Sequence, residues 1–504
     1  MPANTPTAEI LPVDPSQKQP LYRADSIRQL EQRAITRLGS DGGFILMQRA
    51  AAALLELLQQ RWPAPRNILV YAGAGNNGGD GYLLAALARA RGYEVRLCRH
   101  GDHSKLGETA QQAADAAENA GVPLVDDFAG AELLVDALFG IGLNRPLDKA
   151  TCQLIQSIND SSTPVLAIDI PSGISADSGA AMPVAVKATA TISFIGLKAG
   201  LLMQDGLEHC GELWLSPLQL ASELAGISPA CCSLSGAEVN TLLPARPVNS
   251  HKGHFGHVLV IGGDYGFGGA AVMTAQAAVN CGAGKVSLYS RSEHISVMLS
   301  RQPEVMVSSD DCGKLLNTAS VIAIGPGLGA KSWGQALMAQ ALATDKPMLL
   351  DADALNFLAG LGPEQQQRIK RQNWVLTPHP GEAARLLNCS NKEIQQDRLA
   401  AVSQLQQRFG GVVLLKGAGT LICDQQGEIS LLADANPALA SGGMGDVLSG
   451  IIAALLAQGL SGRAACQLAA WLHLQSAATL ARQQQRPWLV ATDLIHQLKL
   501  QLIN

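Results

Sequence analysis

Short apolar runs, mostly three to six residues long, alternate along almost the whole chain with longer stretches whose apolar positions recur at helical spacing. Residues 26–60 read as helix, dense in Ala and Leu over 50–58. The run 67–71 (NILVY) reads as a buried strand. A glycine-rich turn, a helix over 82–91 and a strand over 94–98 follow. The alternation continues with strands at 133–136 and 165–168, a helix at 151–159, and strands near 190–194 and 212–215. A β-loop-α-β succession of this kind predicts a parallel sheet covered by helices.

Residues 217–240 are weakly patterned, with Pro217, Pro229 and Ser-Gly pairs, and read as a linker and the entry helix of a second domain. Beyond them the alternation resumes, with strands at 258–261, 285–289, 321–324, 347–350, 374–376 and 412–415. Helices are expected at 270–281, 382–387 and 447–457. The predicted organisation is a loose arm over 1–20, rich in Pro, Thr and Gln, then α/β domains over 21–222 and 223–504.

Composition narrows the class. The 504 residues include 51 glycines, 47% hydrophobic and only 16% charged residues, with a net charge of -5. No basic run offers the clustered Lys and Arg that a nucleic-acid surface needs. The ten cysteines are scattered, with no Cys-x-x-Cys, and read as reduced thiols of a cytoplasmic protein. The first 14 residues lack the basic start and apolar core of a signal peptide. The most apolar stretch, 447–460, is shorter than the ~18 residues that span a bilayer.

Candidate chemistry sits in the loops that follow strands. The first is Gly73-Ala74-Gly75-Asn76-Asn77-Gly78-Gly79-Asp80-Gly81, which contains a G-x-G-x-x-G. A dinucleotide fingerprint also wants an acid at the end of the next strand, where Leu97-Cys98-Arg99-His100 has none. The loop therefore reads as a phosphate-contacting turn, as a weaker dinucleotide fingerprint, or as a tight turn with Asp80 as a helix cap. Loops 136–143 and 169–173 end neighbouring strands. Asn77, Asp136 and Ser172 offer hard oxygen ligands to a cation, and Asp169 offers a general acid or base.

In the second half, Ser441-Gly442-Gly443-Met444-Gly445-Asp446 opens an apolar helix. Unpaired amides at such a start form an anion hole, and an acid at its rim can take a proton from a hydroxyl that attacks a phosphoryl group. Supporting loops are 325–329, 351–356, 377–382 and 416–420, the last joining Lys416 to flexible backbone. His379 stands between two prolines. The cluster His251-Lys252-Gly253-His254 reads as a solvated turn or a lid over phosphate, and 262–266 is a further ligand loop.

Together these motifs carry a resemblance. GNNGGDG (75–81), DALFGIGL (136–143) and DIPSG (169–173) resemble the N-terminal epimerase domain of the bacterial bifunctional NAD(P)H-hydrate repair enzymes. HKG, GPGLG, DADALN, TPHPGE, KGAGT and SGGMGD resemble the C-terminal dehydratase domain of the same family. The resemblance implies an α/β chain with an N-terminal Rossmann-like three-layer sandwich and a C-terminal ribokinase-like domain. It implies that the first domain interconverts the R and S hydrates of NADH and NADPH. Asn76, Asn77, Gly78, Gly79, Asp80, Gly140, Ile141, Gly142, Leu143, Asn144, Arg145, Pro146 and Asp169 would hold the hydrate, with potassium on Asn77, Asp136 and Ser172. The second domain would dehydrate the S form with ADP, giving AMP and phosphate and helped by magnesium. There Asp446 is the base, and Ala270, Gly327 and His379 contact the hydrate. Lys416, Gly417, Ala418, Gly419, Thr420 and Gly445 contact the nucleotide. A homo-oligomer in the cytoplasm, with no membrane or nucleic-acid partner, is expected. A small-molecule kinase fused to a ligand-binding domain fits the second set of loops equally from residues alone. A nucleotide-sensing protein with dead sites is a further alternative.

Overall fold

The computed structural model describes residues 8–63, 67–126, 130–143, 145–243 and 245–501. The chain folds as two compact units, the first running to Cys232 and the second from Ser233 onward, with residues 16–18 belonging to the second.

In the first unit the strands lie in the order Leu11–Pro12, Glu212–Ser216, Ala190–Phe194, Val165–Ile168, Leu133–Ala137, Asn67–Ala72, Glu94–Arg99. All neighbours run parallel except the first pair. The inner strands are buried along almost their whole length, as helices on both faces require. The order reverses at Asn67–Ala72: the chain steps out to Glu94–Arg99 and returns to pair Leu133–Ala137 on the other side. Such a reversal opens a crevice at the carboxyl ends of the strands.

The N-terminal segment is not loose where it is described. Leu11–Pro12 pairs with Glu212–Ser216, Val13 N donates to Leu213 O at 2.9 Å, and Ser216 Oγ donates to Glu9 O at 2.8 Å. Proline suits an edge strand, where one row of amides faces away from the sheet. The helix expected over 26–60 is two, Ala24–Leu38 and Gly42–Arg61, broken at Gly39 with φ +90°.

In the second unit the order is Met306–Ser308, Lys285–Tyr289, His257–Ile261, Val321–Ile324, Met348–Leu350, Trp374–Leu376, Val412–Leu415, Thr420–Cys423, Ile429–Leu432. The strands are parallel as far as Val412–Leu415, and the last two are antiparallel. Here the reversal falls at His257–Ile261. The loops beyond that strand and Val321–Ile324 are laced together, with Asp264 N donating to Gly327 O at 2.6 Å and Gly263 N to Pro326 O at 3.1 Å. The helix Met444–Ala457 is apolar nearly all round because it is central. It crosses Gly268–Asn280 so closely that a Cβ on Gly450 would lie 2.3 Å from Thr274 O.

Candidate active sites

In the first unit the glycine motif is itself helical. The helix begins at Asn76 rather than 82 and runs to Ala90, with Gly75 as its N-cap. Gly78 is there for packing, since a Cβ on it would lie 1.9 Å from Gly73 O; Gly79 packs on Met47. The Asp80 side chain does not cap the helix but faces a cavity from its second turn.

That cavity, about 560 Å³, is lined by Glu31, Asn76, Asn77, Asp80, Asp169 and Lys198, by Gly140–Leu143 and Arg145, and by apolar groups including Ile27 and Phe194. Asn76, Asn77, Asp80, Gly140, Ile141, Gly142, Leu143, Arg145 and Asp169 thus line one cavity. Gly78 and Gly79 are buried beneath it, Pro146 is exposed and not among the lining residues, and Asn144 lies outside the described residues.

Asp169 follows the end of Val165–Ile168 with φ +65°, a conformation uncommon for a residue with a side chain. Its Oδ1 accepts from Phe194 N at 3.2 Å and from the ammonium of Lys198. Lys198 is 1% exposed and also donates to Ser193 Oγ at 3.1 Å and Phe194 O at 2.9 Å. Burial pushes the Asp80 carboxyl well above the usual carboxylate range, and Glu31 and Asp169 add to the effect. Burial and then Asp169 also raise Glu31, against the pull of Lys198. Sequence reasoning missed Lys198 and Glu31. A lone lysine inside the apolar run 190–203 was the available signal for the first; Glu31 on an ordinary amphipathic helix offered none.

Beside the cavity, Asp136 is 1% exposed and fully engaged. Its Oδ1 accepts from Ser172 Oγ at 2.6 Å and Leu138 N at 3.2 Å, and its Oδ2 from Ser172 N at 2.7 Å. Burial pushes this carboxyl up to about 6, against those hydrogen bonds. Phe139 N donates to Ser172 Oγ at 2.9 Å, and a Cβ on the next residue, Gly140, would lie 3.2 Å from Asn77 Oδ1. Asn77 Nδ2 is buried without a hydrogen-bond partner. The three expected cation ligands are therefore neighbours, offering one carboxylate, one hydroxyl and one amide.

In the second unit the helix Met444–Ala457 is capped by Gly443 at φ +88°, and Asp446 stands in its first turn without capping it. Behind it, Lys416 Nζ donates to Asp351 Oδ1 at 2.9 Å and lies 4.0 Å from Glu382 Oε2, while Ser449 Oγ donates to Asp351 Oδ2 at 2.7 Å. Burial, then Asp351, pushes Asp446 up to about 7; Lys416 opposes this and Glu382 reinforces it. Burial alone would lower Lys416, but Asp351 and Glu382 outweigh it and the ammonium is held charged. A Cβ on Gly445 would lie 3.4 Å from Lys416 Nζ.

His379 caps the helix Pro380–Leu387: its Nδ1 accepts from Gly381 N at 3.0 Å, and its backbone N donates to Glu382 Oε2 at 2.8 Å. That bond leaves Nε2 as the protonated nitrogen of a neutral ring. Burial and then Lys416 keep the ring's pKa low. Ala270 and Asp446 are bridged by Thr274 Oγ1, which lies 3.0 Å from Ala270 O and 3.1 Å from Asp446 O. Gly327 reaches the same end of the sheet through Asp264. The His251–His254 segment is an exposed turn closed on itself, its two imidazoles 3.7 Å apart. Sequence reasoning missed Arg398, which is 1% exposed and holds the loop 416–420 from beneath.

Among the described residues no group of three or more His, Cys, Asp or Glu is arranged to hold a metal, and no helix is long and apolar enough to cross a membrane.

Two α/β units, each with acids gathered at the carboxyl ends of its strands, define an enzyme with two separate active sites. Residues 43–200 match the family model described as YjeF-related protein N-terminus, and residues 258–500 match that of NAD(P)H-hydrate dehydratase. The chain is 43% identical over 494 residues to the bifunctional NAD(P)H-hydrate repair enzyme Nnr of Coxiella burnetii, covering 96% of this chain and 99% of that protein. It is 42% identical over 486 residues to the Escherichia coli enzyme of the same name, covering 95% and 93%. The solved ADP/ATP-dependent NAD(P)H-hydrate dehydratase from Bacillus subtilis, co-crystallized with ATP/Mg2+, is 31% identical with a TM-score of 0.48, covering 53% of this chain and 95% of that one. The chain belongs to the family of bifunctional NAD(P)H-hydrate repair enzymes.

Proposed function

We propose that the second unit dehydrates the S hydrate of NADH or NADPH with ADP, and that Asp446 is its base. The observation that carries this reading is a carboxyl raised to about 7 beside the Lys416–Asp351 pair, at a helix start that can bind phosphate. Asp446 takes the proton of the ring hydroxyl, and the oxygen attacks the β-phosphoryl group of ADP, releasing AMP. Hydroxide is a poor leaving group and phosphate a good one. The ring nitrogen's lone pair expels phosphate, and loss of a proton from the neighbouring ring carbon restores the dihydropyridine. The sum is hydrate plus ADP giving NAD(P)H, AMP and phosphate. Lys416, Gly417, Ala418, Gly419, Thr420 and Gly445 bind the nucleotide, while Ala270, Gly327 and His379 orient the hydrate. Magnesium would arrive on the nucleotide, since that ion needs only one or two carboxylates beside phosphate oxygens.

The first unit epimerises the R and S hydrates. Breaking the carbon–oxygen bond on one face of the ring and re-forming it on the other inverts the centre. Asp80, held toward its protonated form, gives the departing hydroxyl its proton, and Asp169, fixed by Lys198, takes one from the returning water. Asn77, Asp136 and Ser172 would hold potassium: the set is all oxygen with a single carboxylate, which suits a monovalent ion. We place the protein in the cytoplasm as a homo-oligomer, the second part of the reading supported by exposed apolar groups such as Tyr265 and Phe267.

The test is return of reduced-nicotinamide absorbance when the protein meets NADH hydrate and ADP, with ATP in parallel. Recovery with ADP supports the reading. No recovery, with phosphorylation of an alcohol instead, would mark a kinase.

A further inference from the structure

Arg398 opens the helix Arg398–Phe409, yet its guanidinium serves neither that helix nor an acid. A cation in a first helical turn faces the positive end of the dipole, and the helix is already capped by Asp397, which accepts from Ala400 N at 2.9 Å. No carboxylate among the described residues stands within ion-pair distance of Arg398, and its Nε is buried without a hydrogen-bond partner. Burial lowers its pKa to about 10. A lone desolvated cation is costly, and a core position can usually be filled as well by an apolar side chain.

What it does contact is one loop. Nη1 donates to Ala418 O at 2.6 Å and Gly419 O at 2.8 Å; Nη2 donates to Lys416 O at 3.2 Å and Leu415 O at 3.4 Å. Gly417, at φ +146°, passes so close that a Cβ on it would lie 2.7 Å from Nη2. A trans peptide points its C=O and N–H in opposite directions. Turning the carbonyls of Lys416 and Ala418 onto the guanidinium therefore turns the amides of Gly417 and Gly419 away from it. Among the described residues neither amide donates to a protein acceptor.

We infer that Arg398 is a positioning residue for nucleotide binding: by gathering the carbonyls of 415–419 it presents the Gly417 and Gly419 amides as donors to the phosphates of ADP. The inference rests on the reading of 416–420 as the nucleotide loop. Lysine cannot replace the planar fork, since its single ammonium cannot span four carbonyls.

The experiment uses the full chain with Arg398→Lys and Arg398→Met, and reads the ADP-induced thermal shift, KM for ADP, KM for hydrate and kcat, with the thermal melt and circular dichroism of the unliganded variants as the fold control. The expected result is a KM for ADP raised about ten- to a hundredfold, the scale of one or two charge-assisted hydrogen bonds. The thermal shift shrinks in step, the KM for hydrate stays within about twofold, and Lys recovers part of what Met loses. If Met fails to fold, Gly417→Ala pushes on the same contact and gives the same selective rise. A folded Arg398→Lys that binds ADP like wild type overturns the inference. So does parallel loss of ADP and hydrate binding, which marks a merely structural role. A wild-type protein without any ADP shift overturns the nucleotide-loop reading itself.

Discussion

Lys416 donates to Asp351 at 2.9 Å and so spends part of its charge there, and both groups act on Asp446. Asp351 raises Asp446 and Lys416 lowers it, the two effects following burial itself. The pair works as a fixed dipole that leaves the base near neutrality.

The dehydratase rate should follow the ionised form of Asp446. kcat/KM is expected to rise with pH and reach half its plateau near 7. Asp446→Asn should cost about a hundred- to ten-thousandfold in dehydration and leave epimerisation intact. Its effect on stability has the opposite sign. A carboxyl raised in the folded state contributes stability at low pH that is lost as pH rises through about 7. Asp446→Asn should therefore raise the Tm of the second unit more at alkaline than at acid pH, which thermal melts at several pH values will show.

The two partners of Asp446 should move its titration in opposite directions. Lys416→Met removes the group that lowers it, so the rising limb shifts above 7 and the ADP response falls. Asp351→Asn removes a group that raises it, so the limb shifts below 7. Rate–pH profiles at saturating ADP read both shifts. Equal displacement in one direction would dissolve the dipole account.

Asp169 and Lys198 form a buried pair in the first unit. Breaking a buried pair by removing one partner costs about 3–5 kcal/mol. Asp169→Asn should therefore lower the Tm of that unit and slow use of the R hydrate while sparing the S hydrate. Lys198→Met should do the same, and the double variant should recover stability without recovering epimerisation.

Ser172 gives its hydroxyl to Asp136 and receives Phe139 N, so it organises the expected potassium site. Ser172→Ala is expected to raise the potassium concentration for half-maximal epimerase activity by about tenfold, one charge-assisted hydrogen bond's worth. Dehydratase activity of the same protein should not change with it.

The layered fold was legible because parallel strands covered on both faces read as continuous apolar runs, and 165–168, 190–194, 285–289, 321–324, 374–376 and 412–415 keep the expected bounds. That Asp136 and Asp169 lie at the carboxyl ends of neighbouring strands and Asp446 in the first turn of a helix was legible from the apolar runs beside them. The helix start at Asn76 was hidden, since glycines needed for close packing look like a turn. The antiparallel strands Thr420–Cys423 and Ile429–Leu432 also escaped, although Gly427 between two apolar runs marks their hairpin. Lys198 and Arg398 escaped because long-range contacts alone decide that a charge is buried; Lys198 and Asp169 stand 29 positions apart in the chain.

The central claim is two sites acting in series on one metabolite, and mixing variants tests it most directly. Full absorbance recovery from a mixture of R and S hydrates with ADP is followed for wild type, Asp169→Ala, Asp446→Asn and an equal mixture of the two variants. On the wild-type timescale the account predicts complete recovery by wild type, recovery of only the S share by Asp169→Ala, no appreciable recovery by Asp446→Asn, and complete recovery by the mixture. Rapid recovery of both epimers by Asp169→Ala, or failure of the mixed variants to complement, would contradict it.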